Sequence, residues 1–461
     1  MRQMLWVSLL MGGALFWASG CRVNQEKEVQ TYRSVLDGGA AAKPATYSPD
    51  EPLSLERALE LVNRHNERLA IRGEDYLQAL INKDRAVAAF LPTVSFAPSH
   101  LREQPTHIPL ANEFFPPNVT DAPIEAELNV DIPRSLATAR AADAAARRQR
   151  ELLLDYQATV FLDASQTYYQ ILRSERQVEF LVNSVAVQQA RLANIRLKES
   201  AGTARPLDVS QVEAQLAGTR AQLIAAENDV RNGRAVLALV LGVERVNGPL
   251  TDRLQVPEGV STEEELMAAA RRNRRDLKAA IRQTEVAQRN LEAAWSRYFP
   301  SVGLSGTYFP HRESLPDDVT WLSMVQINLP IFTAGLIHAD VRTAYSQLRQ
   351  AVLAESYLER EILKDLRVDR QDIEDSARRL GELRVQVTAA ENALNVSEQS
   401  YAAGLATNLD RLIAQDQVLQ AGLNLAGEEL TRKIYYLRLL RATGRLDLKS
   451  PESGLKMASK E

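Results

Sequence analysis

Two stretches of this 461-residue chain, 54–96 and 262–304, carry one pattern at a constant offset of 208. Leu69 falls on Leu277, and Leu91-Pro92 falls on Phe299-Pro300. Farther on, Val130-Asp131-Ile132-Pro133 matches Ile327-Asn328-Leu329-Pro330 at an offset of 197. The turn stretches ESAGTARPLDVS (199–210) and SYAAGLATNLDRL (400–412) match at 202, and that offset holds through Leu241-Gly242 and Thr443-Gly444. A fixed internal period is the signature of one supersecondary unit written twice. Whatever the first half folds into, the second half must also fold into, with loop and helix lengths changing where the offset changes.

Each half reads as helix, Pro, short extended segment, loop, short extended segment, Pro, very long helix, turn, long helix. Apolar residues recur every seven positions at Ala164, Ile171, Val178, Val185 and Leu192, and on the return at Val209, Leu216, Leu223, Val230 and Leu237. The second half repeats this at Leu366, Ile373, Leu380, Val387, Leu394 and Tyr401. A seven-residue period sustained this long predicts helices supercoiling along a seam. The stretch 140–200, about 60 residues, would make a helix on the order of 90 Å. Few compact globular domains hold such a helix, so an elongated construction is expected.

The extended segments alternate. In 122–132, Ile124, Ala126, Leu128, Val130 and Ile132 share one face, with Glu125, Glu127, Asn129 and Asp131 on the other. Segment 319–329 places Trp321, Ser323, Val325, Ile327 and Leu329 on the matching face, and Val94, Phe96, Val302, Leu304 and Tyr308 keep the same parity. A soluble half-buried hairpin alternates in the same way, but lengths of about nine to eleven residues suit a tilted membrane-spanning strand. Four such strands cannot close a barrel, and lipid tolerates no open edge. Several chains would have to share one barrel, and three would give twelve strands.

Composition narrows the rest. The chain is 45% hydrophobic and 25% charged with a net charge of −4, which argues against a nucleic-acid partner. Aromatics are only 6%, as in helix-rich chains. Residues 1–20 read as a secretory signal segment: Arg2, an apolar run from Met4 to Trp17, then Ala18-Ser19-Gly20. Cys21, the single cysteine, follows as in a bacterial lipobox, where the thiol is acylated with a palmitate-type lipid and becomes the mature N-terminus. Arg22, rather than an Asp, favours the outer membrane. Residues 21–52 are expected to form an extended lipidated tether, 53–250 and 251–444 the two repeats, and 445–461 a polar tail. RRNRRD (271–276) reads as a solvated helix face, and 102–121 as an external loop. The five His residues show no metal-ligand spacing, and no nucleophile or acid–base constellation marks an enzyme.

With the paired Leu/Phe-Pro, LPIFTAG (329–335) and the Tyr401…Leu409-Asp410 turn in view, the chain resembles the outer-membrane efflux channel (TolC-like) family, in its lipoprotein branch, over about 53–444. The resemblance implies a mainly α fold with a small β part: long antiparallel coiled-coil helices forming a trimeric α-barrel, and four strands per chain in a shared 12-stranded transmembrane β-barrel. It implies a homotrimer acting as a passive conduit in outer-membrane lipid, docking a periplasmic adaptor (membrane fusion protein) and an inner-membrane pump, without a cofactor. Its adaptor-contact tips would be Ala201, Gly202, Thr203, Ala403, Gly404 and Leu405. Gate candidates are Asp208, Asp410, Tyr401 and Arg205; Ala406 stands where some relatives have an Arg, and Arg205 could substitute for it. Glu125, Glu127 and Asp131 would line the barrel lumen. Asp208 and Asp410 have a second reading, as carboxylates favoured at a helix N-terminus. A periplasmic coiled-coil scaffold or adaptor lipoprotein without pore activity would need a lipoyl-like insertion in the hairpin, and 204–206 leave no room for one.

Overall fold

The computed structural model describes residues 23–38, 47–105, 107, 116–257, 259 and 261–447, apart from the Val130 side chain. Cys21, the segment 1–20 and the tail from 448 onward lie outside the described residues. So do 39–46 of the expected tether and 106 and 108–115 of the expected external loop.

In the first half the order is α1 (Gln25–Leu36), β1 (Leu53–Ser54), α2 (Leu55–His65), α3 (Glu67–Ala88), β2 (Thr93–Phe96), β3 (Ser99–Arg102), β4 (Asn118–Asp121), β5 (Ile124–Val130), α4 (Ile132–Ser200) and α5 (Pro206–Leu241). The second half gives β6 (Leu250–Thr251), α6 (Glu263–Asn273), α7 (Arg275–Ser296), β7 (Ser301–Tyr308), β8 (Trp321–Asn328), α8 (Leu336–Ala402) and α9 (Asn408–Ala442). The long helices run 69 and 67 residues. The chain divides into two compact units, each drawing on both repeats: 1–41, 71–151 and 279–355 form one, and 42–70, 152–278 and 356–461 form the other.

The second of these units shows the duplication in detail. Ser54 and Thr262, 208 residues apart, both accept the N–H three residues on and cap α2 and α6. Asn66 and Arg274, again 208 apart, follow those helices and do one job with different chemistry. Asn66 donates to the Val240 carbonyl at 2.8 Å, and Arg274 reaches the Ala442 carbonyl at 3.4 Å, so each covers the exposed end of a long return helix. Arg274 is buried and forked onto Asp276 at 2.9 and 3.0 Å. The RRNRRD stretch is therefore not uniformly solvated. Arg271 and Arg272 are exposed, while Arg274 turns inward because the short helix ends at the residue before it.

Around these junctions lies the largest core, including Leu59, Val62, Phe161, Tyr168, Leu237, Leu277, Leu366 and Leu437. Tyr168 ties the small parallel pair β1–β6 to it: its hydroxyl lies 2.7 Å from the Leu53 carbonyl and accepts the Thr251 N–H at 2.9 Å. Burial pushes the Tyr168 phenol up to about 12, so it stays a neutral donor.

The seam between α4 and α5 buries Ala164, Ile171, Leu181 and Ile195 against Val209, Val212, Leu216 and Leu237. One buried layer is polar, with Gln188 donating to Thr219 at 3.0 Å. A polar pair at such a position disfavours sliding of one helix past the other. Gly233 leaves room for Ile171, whose Cγ1 would stand 2.8 Å from any Cβ there.

The first unit corrects the tether. Asn24 accepts the Lys27 N–H and caps α1, which buries Tyr32 and Leu36. The Tyr32 ring occupies the space a side chain at Gly73 of α3 would fill, 2.3 Å from an ideal Cβ. The polar composition of 22–52 hid a helix that buries two of its side chains, Tyr32 against Gly73 among them.

Helix ends at Gly242 and Gly444 have left-handed φ (67° and 68°) and press against the chain after α2 and α6; a Cβ would lie 2.2 Å from the His65 carbonyl oxygen and 2.7 Å from the Arg274 nitrogen. Gly202 and Gly404 share the φ (75° each) with nothing within 4 Å. Gly242→Ala and Gly444→Ala should therefore lower the melting temperature markedly. Gly202→Ala and Gly404→Ala should cost only about 1 kcal/mol each. Thermal unfolding of the four purified variants checks the ranking.

Candidate functional site

Both hairpin tips are built by one local code. At the end of α4, the Gly202 N–H donates to Glu199 at 2.9 Å and the Thr203 N–H to Lys198 at 2.8 Å. At the end of α8, Gly404 donates to Tyr401 at 3.1 Å and Leu405 to Ser400 at 2.8 Å. These are paired closing bonds around a left-handed residue, which satisfy the last helix carbonyls and demand glycine. The small flanking residues Ala201, Thr203 and Ala403 are exposed, and Leu405 is 85% exposed, an apolar side chain without cover in the single chain.

The paired acids are helix caps. Asp208 accepts the Arg205 backbone N–H at 3.1 Å, and its two oxygens take the Arg205 guanidinium at 3.1 and 2.9 Å. Asp410 accepts the Thr407 N–H at 2.8 Å and the Thr407 hydroxyl at 2.6 Å, while the Asp410 N–H donates back to that hydroxyl at 3.3 Å. The Arg205 fork holds Asp208 below the usual carboxylate range, and the Thr407 bonds do the same for Asp410. Within the chain Arg205 is thus engaged in its own turn and does not reach Tyr401.

Tyr401 is engaged otherwise. Lys198 Nζ lies 4.9 Å and Arg411 Cζ 4.4 Å from its ring centroid, both within cation–π range. Arg411 also donates to Asn408, whose amide reaches the Asp208 carbonyl at 3.5 Å. Arg191 of α4 binds both Glu398 of α8 and Gln415 of α9. Beneath them Ile195, Val209, Val212 and Leu412 form a small core. The two tips are thereby joined by cations that no sequence motif marks. The available signal was geometric: a turn at 403–408 brings residues on either side, such as 401 and 411, back together.

The second feature is the sheet β2–β5–β7–β8, antiparallel throughout. Residues directly across neighbouring strands share a face. One face carries the rows Phe96, Ile124, Tyr308, Trp321; Val94, Ala126, Gly306, Ser323; Leu128, Leu304, Val325; and Val302, Ile327. The other carries Ser95, Glu125, Thr307, Leu322; Thr93, Glu127, Ser305, Met324; and Asn129, Gly303, Gln326. The strand parity read from the sequence is the observed one. Trp321, Val325 and Ile327 stand 67–69% exposed, so the apolar face lies open in the single chain.

Two details differ from the sequence reading. The first strand breaks at Pro98 and the second at Pro123, which lack an N–H for the ladder. The β3–β4 pairing continues the β2–β5 register without a slip. Asp131 lies one residue past β5, where it accepts the Arg134 N–H at 3.2 Å and caps α4. Its place is the strand–helix junction, while Glu125 and Glu127 remain on the polar strand face.

The family model for "Outer membrane efflux protein" matches residues 75–243 and 266–445, one span in each repeat. The chain belongs to that family. Outer membrane protein TolC of Vibrio cholerae is 26% identical over 338 residues, covering 69% of this chain and 76% of that one. The probable efflux pump outer membrane protein TtgC of Pseudomonas putida is 28% identical over 268 residues, 54% of this chain and 53% of that one. Among solved structures, the outer-membrane channel OprN superposes with a TM-score of 0.74 at 19% identity, over 87% of this chain and 94% of that one. The Campylobacter jejuni CmeC channel does so at 0.75 and 14%, over 90% and 92%. The fold is accordingly that of these outer-membrane efflux channels: mainly helical, with long coiled helices and four paired strands. No helix among the described residues is long and apolar enough to cross a membrane.

The tip caps carry a pH signature. A carboxylate whose native pKa is lowered contributes stability that is full above the unfolded value, about 3.9, and lost as pH falls through the native one. Local hydrogen exchange at 199–212 and 401–412, corrected for intrinsic rates, should rise below about pH 4. Asp208→Asn and Asp410→Asn should each remove that pH dependence from their own hairpin.

Proposed function

We propose that this chain is the outer-membrane channel subunit of a tripartite efflux system, anchored by lipid on Cys21. Three copies build a passive conduit. Their twelve strands form one barrel with the Val94–Ile327 face toward lipid and the Glu125–Glu127 face toward water. Their long helices continue the tube, and the tips receive a periplasmic adaptor and its pump. The observation that carries this reading is the sheet: one face mostly apolar, the other carrying Glu125, Glu127, Asn129 and Gln326 with Leu322 and Met324 at its edge, and the outer edges of β2 and β8 unpaired among the described residues. In lipid such edges must be closed by further copies. The tips fit a docking role because small residues and the open Leu405 side chain leave room for, and a reason for, a helical partner. Asp410, exposed and bonded only to the neutral Thr407, would in three copies around one axis bias the entrance toward cations, while the charge of Asp208 is offset by its own Arg205.

The purified protein in a planar bilayer should conduct. A protein that makes no pores under any opening condition would instead fit a scaffold. If Glu125 and Glu127 face the lumen, Glu125→Lys and Glu127→Lys should lower the cation preference, read as a shift in reversal potential under a salt gradient. On the other face, Val325→Arg should cost about 2–4 kcal/mol if it lies near mid-bilayer. The check is the fraction of the protein recovered as membrane-inserted oligomer.

A further inference from the structure

We propose that Asp369 of α8 is a proton-binding site: it takes up a proton as its surroundings turn mildly acidic, and the neutral side chain then packs more stably in the seam of the second hairpin. Every residue involved belongs to the second compact unit, so the site depends neither on the barrel nor on the number of copies.

The repeat that builds α8 puts this acid where it is costly. Ile362, Asp369 and Ser376 recur every seven residues, interleaved with Leu366 and Ile373, which do the same. Ile362, Leu366 and Ile373 lie in the largest core and Ser376 is fully buried, so the acid stands at a position that the seam otherwise fills without charge. Asp369 itself is 4% exposed. A carboxylate sealed to that degree stays charged at little cost only when it is both paired and fully hydrogen-bonded.

The pairing falls short of that. Arg438 of α9 brings Nη2 to 2.8 Å from Asp369 Oδ1, but that oxygen is buried and accepts no hydrogen bond among the described residues. The same guanidinium donates to Asp372, one turn along α8, at 3.4 Å, so one cation is divided between two carboxylates. Asp365, one turn the other way and held by Lys364 at 2.9 Å, adds a third negative charge. From the junction of α6 and α7, Arg274 faces Asp369 too, but its guanidinium is forked onto Asp276. Arg441 of α9 is in turn taken by Asp155 of α4 at 2.6 Å.

Burial pushes the Asp369 carboxyl up to about 6; Arg438 and Arg274 oppose the rise, and Asp365 and Asp372 add to it. In the unfolded chain an aspartate titrates at about 3.9. A group that binds its proton more tightly when folded adds stability as pH falls through about 6, a gain complete below about 4 and lost again as pH rises through the native value. A hydronium proton moves to a carboxylate oxygen, which makes Asp369 a neutral O–H donor and leaves Arg438 to Asp372. The sign is opposite to that of the tip caps Asp208 and Asp410, so mild acid tightens the helices around Asp369 before stronger acid loosens the tips.

Infrared difference spectra of the full chain, titrated from about pH 7.5 down to about pH 5, read the site directly. A protonated-carboxyl C=O band should grow in with a midpoint at about pH 6, and Asp369→Asn should remove it. Hydrogen exchange at 362–376 and 434–441, corrected for intrinsic rates, should slow over the same titration and do so less in Asp369→Asn; Asp155 and Asp163, which burial also pushes up, account for what remains. Asp372→Asn leaves Arg438 to Asp369, so the midpoint should fall, with proton affinity weakened at least about twofold. No Asp369-dependent band down to about pH 5, or a midpoint that Asp372→Asn leaves in place or raises, overturns the proposal. Should Asp369→Asn fail to fold, the Asp372→Asn midpoint decides alone.

Discussion

One long helix packed on its return partner is the contact that the rest of this molecule depends on. Helices of 69 and 67 residues draw most of their stability in a protein from packing an apolar face rather than from propensity. For α4, two positions of a heptad pattern put Ile171, and Leu181 with Ile195 two heptads on, on one side of a seam and Val209, Leu216 and Leu237 of α5 on the other. The fit is close enough to require glycine: Gly233 of α5 admits Ile171 of α4, and between the two hairpins Gly422 of α9 admits the Phe180 ring of α4, 2.8 Å from where a Cβ would stand.

Duplication then supplies the same solution twice, and the two copies have diverged without losing it. At the end of α5 an amide, Asn66, covers the last carbonyls; at the end of α9 a guanidinium, Arg274, does so and takes Asp276 as its counter-charge. At the tips one acid is held by an arginine fork and the other by a threonine cap. The geometry required of each position is conserved between the halves of this chain, while the chemical group meeting it has changed. Such divergence is what lets one hairpin differ electrostatically from the other.

The tips also separate two roles that glycine can play. Near the core, Gly242 and Gly444 serve both a left-handed turn and a close approach of another segment. At the tips, the space around Gly202 and Gly404 is empty, so the turn alone explains them. The small residues around them, Ala201, Thr203 and Ala403, stay exposed. The acids beside them are committed to holding the turn in shape.

Much of this was legible in the sequence, for a physical reason. Helical seams have a period near 3.5, strands a period of 2, and left-handed turns ask for glycine; each is a local rule, and the repeat stated every rule twice. The duplication, the strand faces through Val94, Leu128 and Ile327, and the paired tips all follow from such rules. What only the tertiary structure decided were the partners of single polar side chains. Asp208 and Asp410 proved to be caps, Asp131 left the strand for a helix start, Arg274 turned inward, and Tyr401 gathered Lys198 and Arg411 rather than Arg205. Helix α1 belongs with them, since Tyr32 finds its place only where Gly73 leaves one. A charge or a ring chooses among neighbours brought together by the whole fold, and linear spacing carries no record of that choice.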